Sequence, residues 1–279
     1  MKRNDSGDGV PNADLAKPVA WVTGSGAKRV GHSIAHAFAL AGYRIVLHAN
    51  QSIESANAYA DELQSRGTDA LVVQGPVNDP EFAPRAVQQI VERFGRLDVL
   101  VNSAAIWDWT TFEEISEGDI RRQFEVNTLG TFLCSRSAGL HMATQPSGGA
   151  ILLIGDWAVH RPYCHFAPYF VGKGSIETMT RSLAVELATR NPSIRVNAIL
   201  PGPVMLDASI SADAAERIRQ QSLLKRHGTP SDVANAAVFL AQQPFITGVA
   251  LPVDGGRSIY SGDQWDAVAH PTFSQLQNP

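Results

Sequence analysis

Seven short apolar runs, each alternating with a stretch of helical spacing, constrain the fold of this chain more than any other feature. The runs are PVAWVTG (18–24), YRIVLHA (43–49), DALVVQ (69–74), LDVLVNS (97–103), GAILLIG (149–155), IRVNAIL (194–200) and VALPVD (249–254). Most are rich in β-branched residues and apolar at consecutive positions, as strands covered on both faces must be. Between them, Val87, Ile90, Val91 and Phe94 fall at i, i+3, i+4 and i+7, and Ile176, Met179, Leu183 and Leu187 repeat the stripe. Such alternation implies right-handed crossovers and a seven-stranded parallel sheet with helices on both faces. The expected fold class is α/β, one doubly wound, Rossmann-like domain over residues 18–258. Ligands of such sheets sit at the carboxyl ends of the strands, near the switch in strand order.

Composition excludes several alternatives. A formal charge of −4 over 279 residues offers no long-range attraction to nucleic acid, and no basic cluster exceeds Lys28-Arg29. No apolar run reaches the roughly 20 residues that a membrane span needs. The opening MKRNDSGDGVPNADLAK reads as a flexible arm over residues 1–17 and lacks the apolar core of a signal peptide. Cys134 and Cys164 form no framework, which suits two free thiols in a reducing cytoplasm. A cytoplasmic protein with a small-molecule substrate, and no metal, is expected.

The first strand runs into TGSGAKRVG (23–31), which opens a helix. Glycine lets a backbone approach a pyrophosphate, and the helix N-terminus offers free N–H groups and partial positive charge. Gly24, Lys28, Arg29 and Val30 are the candidates there. The second strand ends in HANQS (48–52), placing His48, Asn50, Gln51 and Ser52 beside it. An Asp or Glu in this region would hold unphosphorylated ribose hydroxyls and would repel a 2′-phosphate. None is present, and with two cations in the loop this favours NADPH over NADH.

Further along come NSAA (102–105), Asn127 in FEVNTLG, Tyr169 four residues before Lys173, and PGP (201–203). Tyr169 and Lys173 share a helix face. The individual motifs are weak, but their order and spacing over residues 18–258 resemble the short-chain dehydrogenase/reductase family. That resemblance implies an NAD(P)-dependent oxidoreductase in which Tyr169 donates a proton. A free phenol has a pKa near 10, and the charge of Lys173 would lower it. Lys173 would also bond the nicotinamide ribose, and Asn127 would help to hold a water. Asn102, Ala104, Val77, Pro201 and Gly202 would line the cofactor, residues 204–223 would form a substrate lid, and helices near 119–142 and 169–189 would pair copies into a homotetramer. Residues 259–279 form a tail beyond the family pattern.

Where most members carry a serine, thirteen residues before the tyrosine, this chain has Asp156. It therefore resembles most the pteridine reductase and dihydromonapterin reductase branch, which has Asp there and a loop close to GAKRVG. In that branch an aromatic at the place of Trp107 stacks a pterin, so Trp107, Asp156 and Tyr169 become the substrate-binding candidates. The chain departs from the branch in Gln51, which replaces an arginine, and in Pro76, where the family has an acid that bonds adenine. The backbone N–H of Val77 is left for that task. The leading expectation is NADPH-dependent reduction of a pterin or folate C=N bond. The alternatives are a carbonyl reductase of the 3-oxoacyl-carrier-protein or alcohol dehydrogenase type, and a non-catalytic NADP(H)-binding module.

Overall fold

The structure is a computed structural model describing residues 17–206 and 210–260. The expected arm up to residue 16, lid positions 207–209 and the tail from residue 261 lie outside the described residues.

Seven strands form within a residue or two of the apolar runs: β1 (Val19–Val22), β2 (Arg44–Ala49), β3 (Ala70–Gln74), β4 (Val99–Asn102), β5 (Gly149–Ile154), β6 (Ile194–Pro201) and β7 (Ala250–Val253). They make one parallel sheet in the order β3-β2-β1-β4-β5-β6-β7. Strand order reverses between β1 and β4, so their carboxyl ends open the ligand crevice. The helices are α1 (Val30–Leu40), α2 (Ile53–Ser65), α3 (Phe82–Phe94), α4 (Glu117–Phe124), α5 (Thr131–Met142), α6 (Ala167–Ala188), α7 (Ala212–Gln220) and α8 (Pro230–Gln242).

The pleat divides the core in two. Val19 and Trp21 of β1 join Ile151 and Leu153 of β5 on the face covered by α3, α5 and α6. Ala20, Val22, Ala150 and Leu152 point the other way, toward α1, α2 and α8. Both faces being apolar explains why the central strands read as unbroken runs. The proline in VALPVD fits the same logic: Pro252 lies in β7, an edge strand, where a missing ladder donor is tolerated.

Two local features place the site. Between α4 and α5 the chain makes a π turn over Glu125–Gly130, which carries Asn127 inward. Such turns concentrate at functional positions. Long α6 begins at the aromatic segment after β5 and buries Tyr169, Gly172 and Lys173 along one face. Gly172 keeps α6 close to α4 there, since a Cβ would lie a tight 3.2 Å from the Gln123 carbonyl.

Candidate active site

The glycine loop after β1 is held by backbone and by one histidine. Gly24 has φ +68, and a Cβ on it would lie 2.8 Å from Ala104 Cα, so no side chain fits. Its N–H donates to His48 Nδ1 at 2.8 Å, while His48 Nε2 pairs with the Gly75 carbonyl at 2.8 Å. His48 is 2% exposed, and burial lowers its pKa against the opposing Gly75 bond. A neutral ring with its proton on Nε2 satisfies both bonds. Both ring nitrogens are engaged, so the residue ties together the ends of β1, β2 and β3.

Thr23 Oγ1 accepts from the N–H groups of Ser103 and Ala104, both at 3.0 Å, which joins the β1 and β4 ends. Asn102 is buried and donates its side-chain N–H to Ser135 Oγ at 2.9 Å. Val77 packs its side chain against Gly130, and Gly202 N–H is bonded to the Val253 carbonyl. These residues shape the crevice rather than present side chains to it. Lys28, Arg29, Asn50 and Gln51 are exposed, and Ser52 and Val30 are half-buried. The first turn of α1 contains no acid, which leaves its N-terminus hospitable to phosphate.

At the β5 end, Asp156, Tyr169 and Lys173 converge. The Tyr169 hydroxyl donates to Asp156 Oδ2 at 2.6 Å, and Asp156 Oδ1 accepts from Ala158 N at 2.8 Å. Lys173 Nζ donates to the Ile154 carbonyl at 2.7 Å. Tyr169 and Lys173 are 6% and 5% exposed. Desolvation pushes all three toward their neutral forms. It raises Asp156 against the bonds from Tyr169 and Ala158. It raises Tyr169 well above the usual phenol value, helped by the Asp156 charge. It lowers Lys173 to about 8, opposed by Asp156.

Lys173 faces the charge of Asp156, and Asp156 in turn stands on the phenol oxygen. Asn127 is fully buried in the π turn. Its carboxamide accepts from Ile106 N at 2.9 Å and donates to the Ile106 carbonyl at 3.0 Å and to Gln123 Oε1 at 2.8 Å. Both side-chain N–H groups brace the loop after β4.

That loop carries Trp107, whose neighbours are clamped on both sides, Ile106 by Asn127 and Asp108 by Gln123 at 2.9 Å. The Trp107 ring stacks on Phe166 at 4.5 Å and 8°, yet the residue is 54% exposed, so its other face is open. Rings continue inward from Tyr163 to Phe170 and from Phe170 to Tyr169. The Trp107 loop and the aromatic loop are joined by Thr110 N to the His165 carbonyl at 2.9 Å. His165 has φ +73, a conformation few non-glycine residues adopt. Tyr163 and Phe166 were not singled out from sequence. The signal was the aromatic density of RPYCHFAPYF just before α6.

With this geometry in hand, comparison with known proteins decides the family. The family model described as enoyl-(acyl carrier protein) reductase matches residues 26–258. The chain belongs to the short-chain dehydrogenase/reductase family. It is similar to ketoacyl reductase 2 of the granaticin polyketide synthase from Streptomyces violaceoruber, 35% identical over 87% of this chain and 96% of that one. Versicolorin reductase of Emericella nidulans is 33% identical over 88% of this chain and 97% of its own. The 3-oxoacyl-[acyl-carrier-protein] reductase of Staphylococcus aureus is 34% identical over 85% and 96%. Among solved structures, a dehydrogenase/reductase from Sinorhizobium meliloti superposes with a TM-score of 0.79 at 32% identity, covering 86% of this chain and 94% of that one. A blue fluorescent protein from a metagenomic library, solved with NADPH, gives 0.78 at 29%, covering 88% and 99%. The fold and the oxidoreductase class stand on these matches. Among the described residues no helix is long and apolar enough to cross a membrane.

Proposed function

We propose that this short-chain dehydrogenase/reductase is an NADPH-dependent carbonyl reductase. The observation that carries the reading is the buried Tyr169–Asp156 bond of 2.6 Å with Lys173 one helical turn on, at the carboxyl end of β5 in the same parallel sheet whose β1 leads into the glycine loop. The similarity to ketoacyl, 3-oxoacyl and versicolorin reductases favours a ketone over other acceptors.

The residues fit the cofactor. The loop from Gly24 to Val30 and the open first turn of α1 suit a pyrophosphate, and Lys28 and Arg29 suit a 2′-phosphate that no carboxylate within residues 48–52 repels. Lys173 is placed by its bond to Ile154 at the end of β5. When bound, the nicotinamide supplies the hydride. The protein supplies the proton from the Tyr169 hydroxyl to the carbonyl oxygen. Asp156 takes the place of the family serine and holds the Tyr169 hydroxyl through Oδ2 at 2.6 Å. Lys173 replaces the proton of Tyr169. Following NADPH absorbance over a panel of ketones and 3-oxoacyl thioesters tests this. Tyr169→Phe should lower kcat about 10³-fold with NADPH affinity unchanged; a variant as fast as the parent would remove the assignment.

A second reading is the reduction of a pterin or folate C=N bond, favoured by Asp156 in the serine position and by the open face of Trp107. Dihydropterin in the same panel separates the two. Tight NADPH binding with no turnover of any panel member would favour a non-catalytic module. We also infer a homo-oligomer, a tetramer by family pattern, because Ile120, Phe124, Phe132 and Leu140 on α4 and α5 and Val171 and Val185 on α6 leave large apolar side chains exposed. Light scattering of the purified protein measures that directly.

A further inference from the structure

The turn after β7 holds an arginine that reaches two parts of the molecule remote from it in sequence. Asp254 builds the turn, accepting from Gly256 N at 2.9 Å and Ser258 N at 2.6 Å. From it Arg257 extends to the C-terminal end of α7, donating to the Ile218 carbonyl at 2.7 Å and to Gln221 Oε1. A cation is well placed there, since the last carbonyls of a helix lack intrahelical partners and carry the negative end of its dipole. The same guanidinium lies over the Trp157 ring, 4.7 Å from its centroid.

Trp157 is the residue after Asp156. It opens the short 3-10 turn Trp157–Val159 that Asp156 caps through Ala158 N. Arg161, one turn on, donates to the Arg257 and Tyr260 carbonyls and faces the same indole at 6.0 Å. Ser222 Oγ binds the Gly255 carbonyl at 2.9 Å, so the end of α7 is attached to this turn at a second point. The indole beside the catalytic carboxyl is thus gripped from the turn that anchors α7.

We propose that Arg257 is a positioning residue that couples α7, within the expected substrate lid, to the orientation of Asp156. The proposal rests on the reductase reading for its kinetic arm alone. Losing the guanidinium frees Trp157 to shift, which lengthens the Asp156–Tyr169 bond, and unties the end of α7 from the catalytic turn.

The test compares parent, Arg257→Lys and Arg257→Ala as full chains. The first readout needs no turnover: the rate of tryptic cleavage after Arg217 and Arg219 in α7, with intrinsic tryptophan emission recorded alongside. The second is kcat and KM for the best ketone of the panel, with the pH profile of kcat/KM. Arg257→Ala should speed cleavage about tenfold, lower kcat about tenfold and displace the pH limb, while the NADPH KM stays within about twofold. Arg257→Lys, which keeps charge but not the fork, should fall between. Unchanged cleavage and emission would overturn the proposal. So would faster cleavage with kcat and the pH profile unmoved, which marks a merely structural tie. If the parent itself turns over no ketone, the reductase reading fails. The proposal is then judged on cleavage and Trp157 emission, which must change together in Arg257→Ala for it to stand.

Discussion

The two strand-end loops that meet in the crevice are built differently. The loop after β1 is set by backbone: Gly24 at φ +68, Thr23 and His48 bonding main-chain N–H groups, and almost no charge in its interior. The segment after β5 is set by side chains: a carboxyl, a phenol and an amine buried together, with stacked rings and two guanidiniums around them. On the proposed function, the first needs a fixed shape, so that N–H groups would meet a phosphate without reorganisation. The second needs groups that exchange protons, and burial tunes them. Substitutions in the first should therefore change affinity, and substitutions in the second should change turnover.

The strongest attempt to break that contrast is Gly24→Val. Its Cβ would meet Ala104 Cα at 2.8 Å and its φ is unfavourable for a β-branched residue. A destabilisation of about 3 kcal/mol in urea unfolding is expected, with NADPH binding abolished by calorimetry. Next comes Asp156→Asn. The amide preserves shape but loses the carboxyl's grip on the Tyr169 hydroxyl and its pairing with the charge of Lys173, so kcat should fall about a hundredfold with NADPH affinity unchanged. Because burial raises the Asp156 pKa, the parent loses stability as pH rises above the ordinary carboxylate value. The variant should then match or exceed the parent by about 1 kcal/mol at neutral pH, and the difference should vanish near pH 3. His48→Ala sits third. It removes two buried bonds from the phosphate loop, and NADPH Kd should rise about tenfold while kcat at saturation holds. The smallest effect is expected from Lys28→Ala. The side chain is exposed, and the preference for NADPH over NADH should drop about fivefold, less at high salt.

The fold was legible because its signal is local. Strands buried on both faces cannot hide their apolar runs, and all seven were bounded closely, including β7 with its edge proline. The buried cluster of Asp156, Tyr169 and Lys173 was legible for a related reason: Tyr169 and Lys173 share one helix face, and Asp156 follows the end of β5. The rest depends on distances that spacing does not encode. His48 reads as a ligand beside Ser52, but its ring turns inward to two backbone groups of other loops. Asn127 reads as a water holder, yet its amide braces Ile106. The charge of Lys173 acts on Asp156 because the carboxyl, not the amine, occupies the phenol oxygen. Arg257 is invisible from sequence, since its partners at Ile218 and Trp157 are 39 and 100 positions away.

The pH dependence of kcat/KM for ketone reduction tests most directly whether the buried trio delivers the proton. Lys173, held down to about 8 by desolvation, must be protonated to reload Tyr169. Activity should be level below that value and fall about tenfold per pH unit above it, with the limb absent in Lys173→Met. A parent profile flat from about pH 6 to 10 would contradict the assignment of these residues.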